Sequence, residues 1–293
     1  MILFDWGTYN ALNKLPKAAV LGMRLTEIPP WDFTRKSRGD EYFEAYADFA
    51  KKAFTTITAH APYYNLISDS PAITKKIVKV MQAAIRRAAL AGAEVFNMHI
   101  GWRVYMDQRD IDAVAEVVKK LLEVAPENMY LSLETTWTRR QVGSLDEIKA
   151  IIEAVGSERV IPSLQLENIF MYEKNIDQHG NFIAADKEID ASFWLNILNK
   201  ALKISRGFLS LRFSQVTGVY FGRRLLKKRV PLGKGYPSLE PLAEALARFM
   251  LHEVRYKELP LRMHIIYTGP PETKYEDTIM LYAEIMKKAV VHL

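Results

Sequence analysis

The chain of 293 residues contains no cysteine. This absence excludes disulfide scaffolds, thiolate zinc fingers, iron–sulfur centres and cysteine nucleophiles. The sequence also lacks an apolar run near the roughly 18 residues that a membrane helix requires. No basic segment precedes the apolar residues at the start of the chain, as it would in a secretory signal peptide. These absences predict a cytoplasmic protein without a membrane segment.

The composition is that of an ordinary globular protein. Hydrophobic residues make up 49% and charged residues 25% of the chain, so apolar surface is sufficient to offset the entropy of an ordered chain. Lysine and arginine number 40 against 34 aspartate and glutamate, which gives a net charge of +6. A mild basic excess is compatible with a phosphate-bearing partner but does not demonstrate one.

Short β-type runs alternate with longer amphipathic patterns along the chain. Eight strands are predicted, at residues 2–6, 22–28, 56–62, 93–100, 129–135, 160–166, 207–214 and 261–267. Seven helices are predicted, at roughly residues 40–54, 71–91, 107–124, 145–155, 191–205, 238–251 and 274–291. Residues 171–190 are polar without a clear period and are interpreted as a long loop.

This alternation predicts an α/β protein with a parallel sheet and helical crossovers. Eight repeats in 293 residues fit a closed (β/α)8 TIM barrel better than an open sheet. No Gly-x-Gly-x-x-Gly follows the first strand, which disfavours an open dinucleotide-binding sheet. Because no repeat or low-complexity linker divides the chain, residues 1–293 are predicted to form one barrel domain.

Three polar residues stand at the ends of successive predicted strands. His60 ends the third strand, His99 the fourth and Glu134 the fifth. The ends of barrel strands converge on one mouth, and buried polar groups there are costly unless they are paired or bound to an ion. Two imidazoles and one carboxylate are a donor set typical of catalytic zinc. We therefore expect one divalent metal site, with a buried polar network as the alternative.

Several short segments resemble motifs of the endonuclease IV family (AP endonuclease family 2). His60 opens a His-Ala-Pro-Tyr-Tyr-Asn-Leu segment, and His99 closes a segment that begins at Ala89 and ends His-Ile-Gly. Further similar segments are Leu133-Glu134-Thr135-Thr136, Leu232-Gly233-Lys234-Gly235 and Leu259-Pro260-Leu261. These segments follow the family's order over nearly the whole chain. The resemblance implies the wider xylose-isomerase-like barrel superfamily and, within it, endonuclease IV.

This resemblance implies an activity and a set of metal ligands. Members of the family cleave DNA 5′ to abasic sites with three zinc ions, one of them held at the positions of His60, His99 and Glu134. The six other ligand positions read Gln165, Asn168, Arg212, Lys227, Arg229 and His264. The resemblance therefore implies a reduced site with one zinc ion and no complete trinuclear centre. Gln165, Glu167 and His264 remain candidates for an additional polar site.

Basic residues replace several of the implied ligands. Arg212 and Arg229 could bind a phosphate in place of metal charge, and with Glu134 they are the predicted catalytic residues. Five of the seven residues at 223–229 are basic. The predicted phosphate or nucleic-acid contacts are Arg223, Arg224, Lys227 and Lys228, with Tyr220 and Trp102 available to stack. A solvated charged loop is the alternative interpretation of this run.

Three functions remain open from the sequence. The leading hypothesis is an endonuclease IV-like protein that acts on or binds abasic-site DNA; an active form would be a metal-dependent endodeoxyribonuclease. A second is a non-catalytic nucleic-acid-binding relative. A third is a sugar or sugar-phosphate isomerase or epimerase, although Gln165, Arg212 and His264 stand where its usual acidic groups would be. The sequence does not indicate which oligomeric state the protein has.

Overall fold

The computed structural model describes residues 2–174, 189–221, 224–253 and 261–292. Twelve strands lie in these residues: β1 (Ile2–Tyr9), β2 (Leu25–Ile28), β3 (Thr56–His60), β4 (Val95–Met98), β5 (Gly101–Trp102), β6 (Tyr130–Glu134), β7 (Gln141–Val142), β8 (Val160–Gln165), β9 (Phe208–Phe213), β10 (Gln215–Phe221), β11 (Arg224–Val230) and β12 (Leu261–Tyr267). Eight of them close a parallel barrel in the order β1-β12-β9-β8-β6-β4-β3-β2. The predicted (β/α)8 barrel is thereby confirmed.

Nine α-helices accompany these strands in the described residues: α1 (Leu15–Val20), α2 (Asp40–Ala53), α3 (Pro71–Leu90), α4 (Gln108–Leu122), α5 (Leu145–Val155), α6 (Leu166–Lys174), α7 (Ala191–Ser205), α8 (Leu239–Arg248) and α9 (Lys274–Val291). The seven predicted helices correspond to α2–α5 and α7–α9. Local sequence explains several boundaries, because Ser70 caps α3 ahead of Pro71 and a Ser144–Glu147 capping box starts α5. None of the described helices is both long and apolar enough to cross a bilayer.

The sequence interpretation missed two helices. The short helix α1 has only six residues, too few to show a period. Helix α6 begins at Leu166, directly after β8 and without a turn signal between them. The predicted loop at residues 171–190 is therefore wrong at residues 171–174, which belong to α6. This helix buries apolar residues such as Phe170 and Met171. Residues 175–188 lie outside the described part.

The chain divides by its contacts into two compact units. The first unit is Gly7–Ser163, and the second comprises Met1–Trp6 and Leu164–Leu293. In the first unit, β2, β3, β4 and β6 pair in parallel, with His60 opposite Asn97 and Asn97 opposite Ser132. The short strands β5 and β7 form a separate antiparallel pair. The single-domain assignment stays a prediction.

In the second unit, β9 pairs in parallel with β12, and β10 pairs with β11 as an antiparallel hairpin. Residues 224–229 of the basic run therefore lie on the regular strand β11, whereas the sequence interpretation placed the run in a loop. Val216 opposite Arg229 and Gly218 opposite Lys227 fix the register of this hairpin. Arg223 lies outside the described residues, as do the side chains of Tyr220 and Arg224.

Candidate functional site

The first unit brings His60, His99 and Glu134 together at its strand ends. His60 is the last residue of β3, Glu134 is the last residue of β6, and His99 directly follows β4. His99 lies two residues beyond Asn97, so the pleat of the strand turns both side chains to one face. His60 and Glu134 are buried, whereas His99 is half-buried. The site is thus open to solvent on the His99 side.

The spacing of the donor atoms fits a shared metal ion. His60 Nε2 lies 3.6 Å from Glu134 Oε2, and His99 Nε2 lies 3.5 Å from Glu134 Oε1. One ligand atom from each residue lies within 4.8 Å of the other two. Ligands at about 2.0–2.2 Å from a tetrahedral zinc are roughly 3.4 Å apart, whereas a direct hydrogen bond spans about 2.7–3.2 Å. These three side chains form a group that could hold a metal ion.

Neighbouring groups orient these donors. His60 Nδ1 lies 2.8 Å from the carbonyl oxygen of Ala61. A carbonyl can only accept, so Nδ1 donates this hydrogen bond and Nε2 is the ring nitrogen that faces Glu134. Asn97 Nδ2 donates to Glu134 Oε2 at 2.7 Å, and Ser132 Oγ donates to Asn97 Oδ1 at 3.1 Å. Such outer hydrogen bonds fix the tautomer and the carboxylate orientation that a metal requires.

An exposed aromatic ring covers part of this cluster. The rings of His60 and His99 have centroids 5.2 Å apart, and the Tyr63 ring lies 5.3 Å from the first and 5.1 Å from the second. Tyr63 is 63% exposed. It therefore offers one face to the histidines while most of its surface remains available to a ligand.

The second unit holds a different polar group, centred on Glu167 in the first turn of α6. Its fully buried carboxylate accepts hydrogen bonds from Gln165 Nε2 at 2.6 Å and from Ser214 Oγ at 2.7 Å. The Ser214 backbone N–H also donates to it, at 3.2 Å. Arg212 Nε donates to Gln165 Oε1 at 3.0 Å, and Gln165 Nε2 also lies 2.9 Å from Thr268 Oγ1. Direct hydrogen bonds thus satisfy this buried carboxylate.

Two cations of the hairpin approach the same carboxylate. Lys227 Nζ lies 3.8 Å and Arg229 Nε 3.9 Å from Glu167 Oε1, and Lys227 also donates to Asn168 Oδ1 at 2.5 Å. Alternation along β11 turns these two side chains to one face and Lys228, which is exposed, to the other. We name Glu167, Gln165, Arg212, Lys227 and Arg229 the Glu167 cluster; it has three cations and one carboxylate.

His264 occupies the middle of β12, below the strand end. Its Nε2 lies 2.8 Å from Ser210 Oγ, and its Nδ1 has no hydrogen-bond partner among the described residues. Burial, reinforced by the positive charges of Arg262 and Arg212, lowers the pKa of His264 to about 3. Of the three candidates for an additional polar site, Gln165 and Glu167 are bonded to each other. His264 is instead a neutral imidazole in the middle of β12, bonded to Ser210.

Sequence reasoning did not select Ser132, Ser214 and Thr268 as site residues. Ser214 and Thr268 directly follow β9 and β12, so their position at strand ends was a usable signal. Ser132 shares a strand face with Glu134, which was also visible in the sequence. Trp102, which was selected, lies on β5 opposite Gln141 and is 50% exposed.

Comparison with known proteins gives a family match and one extensive relative. The model of the xylose isomerase-like TIM barrel family matches residues 15–284. An uncharacterized protein of Methanocaldococcus jannaschii is 44% identical over 292 residues, which cover 99% of this chain and 92% of that protein.

More distant similarities include endonuclease IV proteins and a sugar epimerase-like protein. A probable endonuclease 4 of Natranaerobius thermophilus is 30% identical over 161 residues, 51% of this chain and 55% of that protein. The crystal structure of a D-tagatose 3-epimerase-like protein has a TM-score of 0.69 at 14% identity and covers 98% of this chain and 99% of that chain. Endonuclease IV from Thermus thermophilus has a TM-score of 0.67 at 17% identity, with 97% and 99% covered. At these identities the two structures share the fold with this chain.

Proposed function

The chain belongs to the xylose isomerase-like TIM barrel family, and within that family we propose that it is an endonuclease IV-like enzyme with a single metal ion that hydrolyses a phosphodiester bond in abasic-site DNA. The observation that carries the proposal is the donor spacing of 3.5 and 3.6 Å between Glu134 and the two histidines. The partial sequence similarity to a probable endonuclease 4 supports the choice of substrate.

His60, His99 and Glu134 would hold the ion through two nitrogens and one or two oxygens. This donor set favours zinc over magnesium, which prefers oxygen ligands. When bound, a divalent ion supplies Lewis acidity and activates water as a nucleophile at neutral pH. Asn97 keeps the Glu134 carboxylate in one orientation, and the protonated Nδ1 of His60 keeps Nε2 free for coordination.

The phosphate-binding groups of the proposal come from the second unit. Arg212 and Arg229 would bind phosphate oxygens of the DNA. The remaining basic residues of the hairpin would make contacts with the DNA backbone that are independent of sequence. These residues are Arg223, Arg224, Lys227 and Lys228, with Tyr220 and Trp102 as proposed stacking partners.

The donor chemistry disfavours a sugar isomerase or epimerase. Such reactions need acid and base groups that move protons on carbon or oxygen. Instead, β8 ends in Gln165, Arg212 is the penultimate residue of β9, and Thr268 follows β12. The nearby Glu167 carboxylate is occupied by hydrogen bonds from Gln165 and Ser214. We therefore keep the epimerase as an outcome of the test.

The test combines metal analysis with cleavage of a defined DNA. Protein loaded with zinc is incubated with a duplex that carries one tetrahydrofuran abasic analogue, and the product ends are mapped. We expect about one zinc ion per chain and a cut on the 5′ side of the analogue. Glu134→Gln should abolish both the bound zinc and the cut.

His292→Ala is the matched control, because it removes a histidine that is paired with Glu244 in the second unit. Binding of the duplex without a cut would overturn the hydrolytic proposal and leave the non-catalytic relative. Epimerisation of a ketohexose by a protein that ignores DNA would replace it with the sugar epimerase. Three tightly held zinc ions per chain would overturn the single-metal site.

A further inference from the structure

An exposed apolar ridge lies on the loop that follows His99. It consists of the alternate residues Trp102, Val104 and Met106, of which Trp102 is 50% and Met106 71% exposed. Large apolar side chains that are exposed together on a surface mark sites of interaction more often than side chains exposed singly. The ridge begins three residues after a candidate metal ligand.

A buried carboxylate holds the tip of this loop rigid. Asp110, which is fully buried, accepts hydrogen bonds of 2.9 Å from the backbone N–H groups of Val104, Tyr105 and Met106. Met106 has a φ of 62°, in the left-handed region that methionine rarely adopts. The hydrogen bonds to Asp110 hold this strained conformation, although the Met106 side chain is mostly exposed. Residues held in such conformations often lie at binding sites.

Two hydrogen bonds join the ridge to the segment at residues 63–68, which follows His60. Asn65 Nδ2 donates to Trp102 O at 3.3 Å, and the Tyr105 hydroxyl donates to Ser68 O at 3.3 Å. Gly101 approaches Asn65 so closely that a Cβ atom would lie 1.8 Å from Asn65 Oδ1. The same segment begins near Tyr63, whose ring contacts both histidine rings. The ridge is therefore held in a fixed position beside the candidate metal ligands His60, His99 and Glu134.

Basic groups flank the aromatic part of the ridge. Arg103, the neighbour of Trp102, bonds through its backbone N–H to Arg140 O at 3.0 Å and through Nε to Arg139 O at 2.9 Å. Arg139 and Arg140 are both exposed, whereas Arg103 is ion-paired with Glu147. An exposed indole and exposed arginines on neighbouring chain segments are residue types that bind bases and phosphates.

We propose that the ridge is a preformed platform for nucleic-acid bases: Trp102 stacks on a base, and Met106 contacts the unstacked position beside it. This inference rests on the proposed function, since it takes DNA as the ligand of the adjacent site. Apolar side chains that enter a base step are a known way for proteins to hold deformed DNA. The fixed backbone lowers the entropy lost on binding.

The experiment measures affinity by fluorescence anisotropy with the tetrahydrofuran duplex and with a single-stranded oligonucleotide, at several salt concentrations. Trp102→Ala should weaken binding by roughly 5- to 100-fold without changing the salt slope, because no phosphate contact is lost. Met106→Gly should also weaken binding while raising the melting temperature, because glycine adopts the left-handed conformation without strain. A role limited to folding would move melting temperature and affinity in the same direction.

The control is Met280→Ala, which removes a methionine of α9 that is 53% exposed. We expect wild-type affinity for Met280→Ala and weakened binding for Met106→Ala. Wild-type affinity in Trp102→Ala and both Met106 variants would overturn the platform alone. If the wild-type protein binds neither the tetrahydrofuran duplex nor the single-stranded oligonucleotide at low salt, both the proposed function and the platform are overturned.

Discussion

The two units each contain a buried carboxylate near a strand end, and the two carboxylates differ in what surrounds them. Glu134 faces two imidazole nitrogens at 3.5 and 3.6 Å, too far for hydrogen bonds and suitable for ligands of one ion. Glu167 accepts hydrogen bonds of 2.6 and 2.7 Å and has two cations within 3.9 Å. The first arrangement has room for an added cation, whereas the second already contains its own.

The largest expected effect concerns zinc and Glu134. Zinc that binds only the folded chain should stabilise it by about 4 kcal/mol when free zinc exceeds the Kd about 1,000-fold. Glu134→Gln removes the anionic ligand and should abolish this stabilisation, whereas Glu167→Gln should retain it. Urea unfolding with zinc and with a chelator measures the difference. An equal zinc response in Glu134→Gln and the wild type would remove the distinction between the two carboxylates.

Removal of Glu167 should destabilise the protein whether or not zinc is present. Glu167→Ala leaves Ser214 and Gln165 without their acceptor and removes the counter-charge of Lys227 and Arg229. Breaking a buried ion pair on one side costs about 3–5 kcal/mol in the free energy of unfolding. Urea unfolding checks this value, with the half-buried Glu244→Ala as a control expected to lose about 1 kcal/mol or less. A loss for Glu167→Ala as small as that of the control would contradict the assignment.

A buried histidine of the second unit makes stability depend on pH. Burial holds His264 neutral and lowers its pKa from 6.5 to about 3. Between these pH values the unfolded chain binds a proton at His264 that the folded chain does not, so stability falls as pH falls. The slope due to this residue should be about 1.4 kcal/mol per pH unit. In metal-free protein, His264→Gln should remove that part of the slope, and an unchanged slope would show that His264 titrates normally.

Much of the fold could be predicted from the sequence because its signals are local. The apolar stripe at Ile77, Met81 and Ala84, the Ser70 cap and Gly92 in the left-handed conformation together define α3. By contrast, the hairpin β10–β11 has charges at successive positions of its second strand, so alternation of apolar and polar residues could not reveal it. Its register depends on pairing with Gln215–Phe221. Patterns within one segment carry no information about such pairing.

The candidate metal ligands were predictable because strand ends in a parallel barrel converge, whatever the loops do. The residues that bond to Glu167 and to Gln165 were harder to predict from the sequence. Ser214 and Thr268 contribute through hydrogen bonds whose lengths depend on the registers of β9 and β12. His264 was selected by resemblance to a ligand position, but Thr268, four residues later, is the residue at the strand end. Similarity to a motif therefore does not show how far along its strand a residue lies from the mouth of the barrel.

The smallest expected effect separates the two faces of the hairpin. Lys228 is exposed and points away from the face of Lys227 and Arg229, so Lys228→Ala should change stability by about 0.5 kcal/mol or less. If this outer face contacts DNA phosphates, the slope of log affinity against log salt should become shallower by about 0.7–0.9, the value for one phosphate contact. The loss should be similar for intact and abasic duplexes, because a phosphate contact carries no sequence information. Fluorescence anisotropy across a salt series measures the slope, with Lys36→Ala, an exposed lysine of the first unit, as the control. A wild-type slope for Lys228→Ala would restrict DNA contacts of the hairpin to the face that carries Lys227 and Arg229, where the cations already share Glu167.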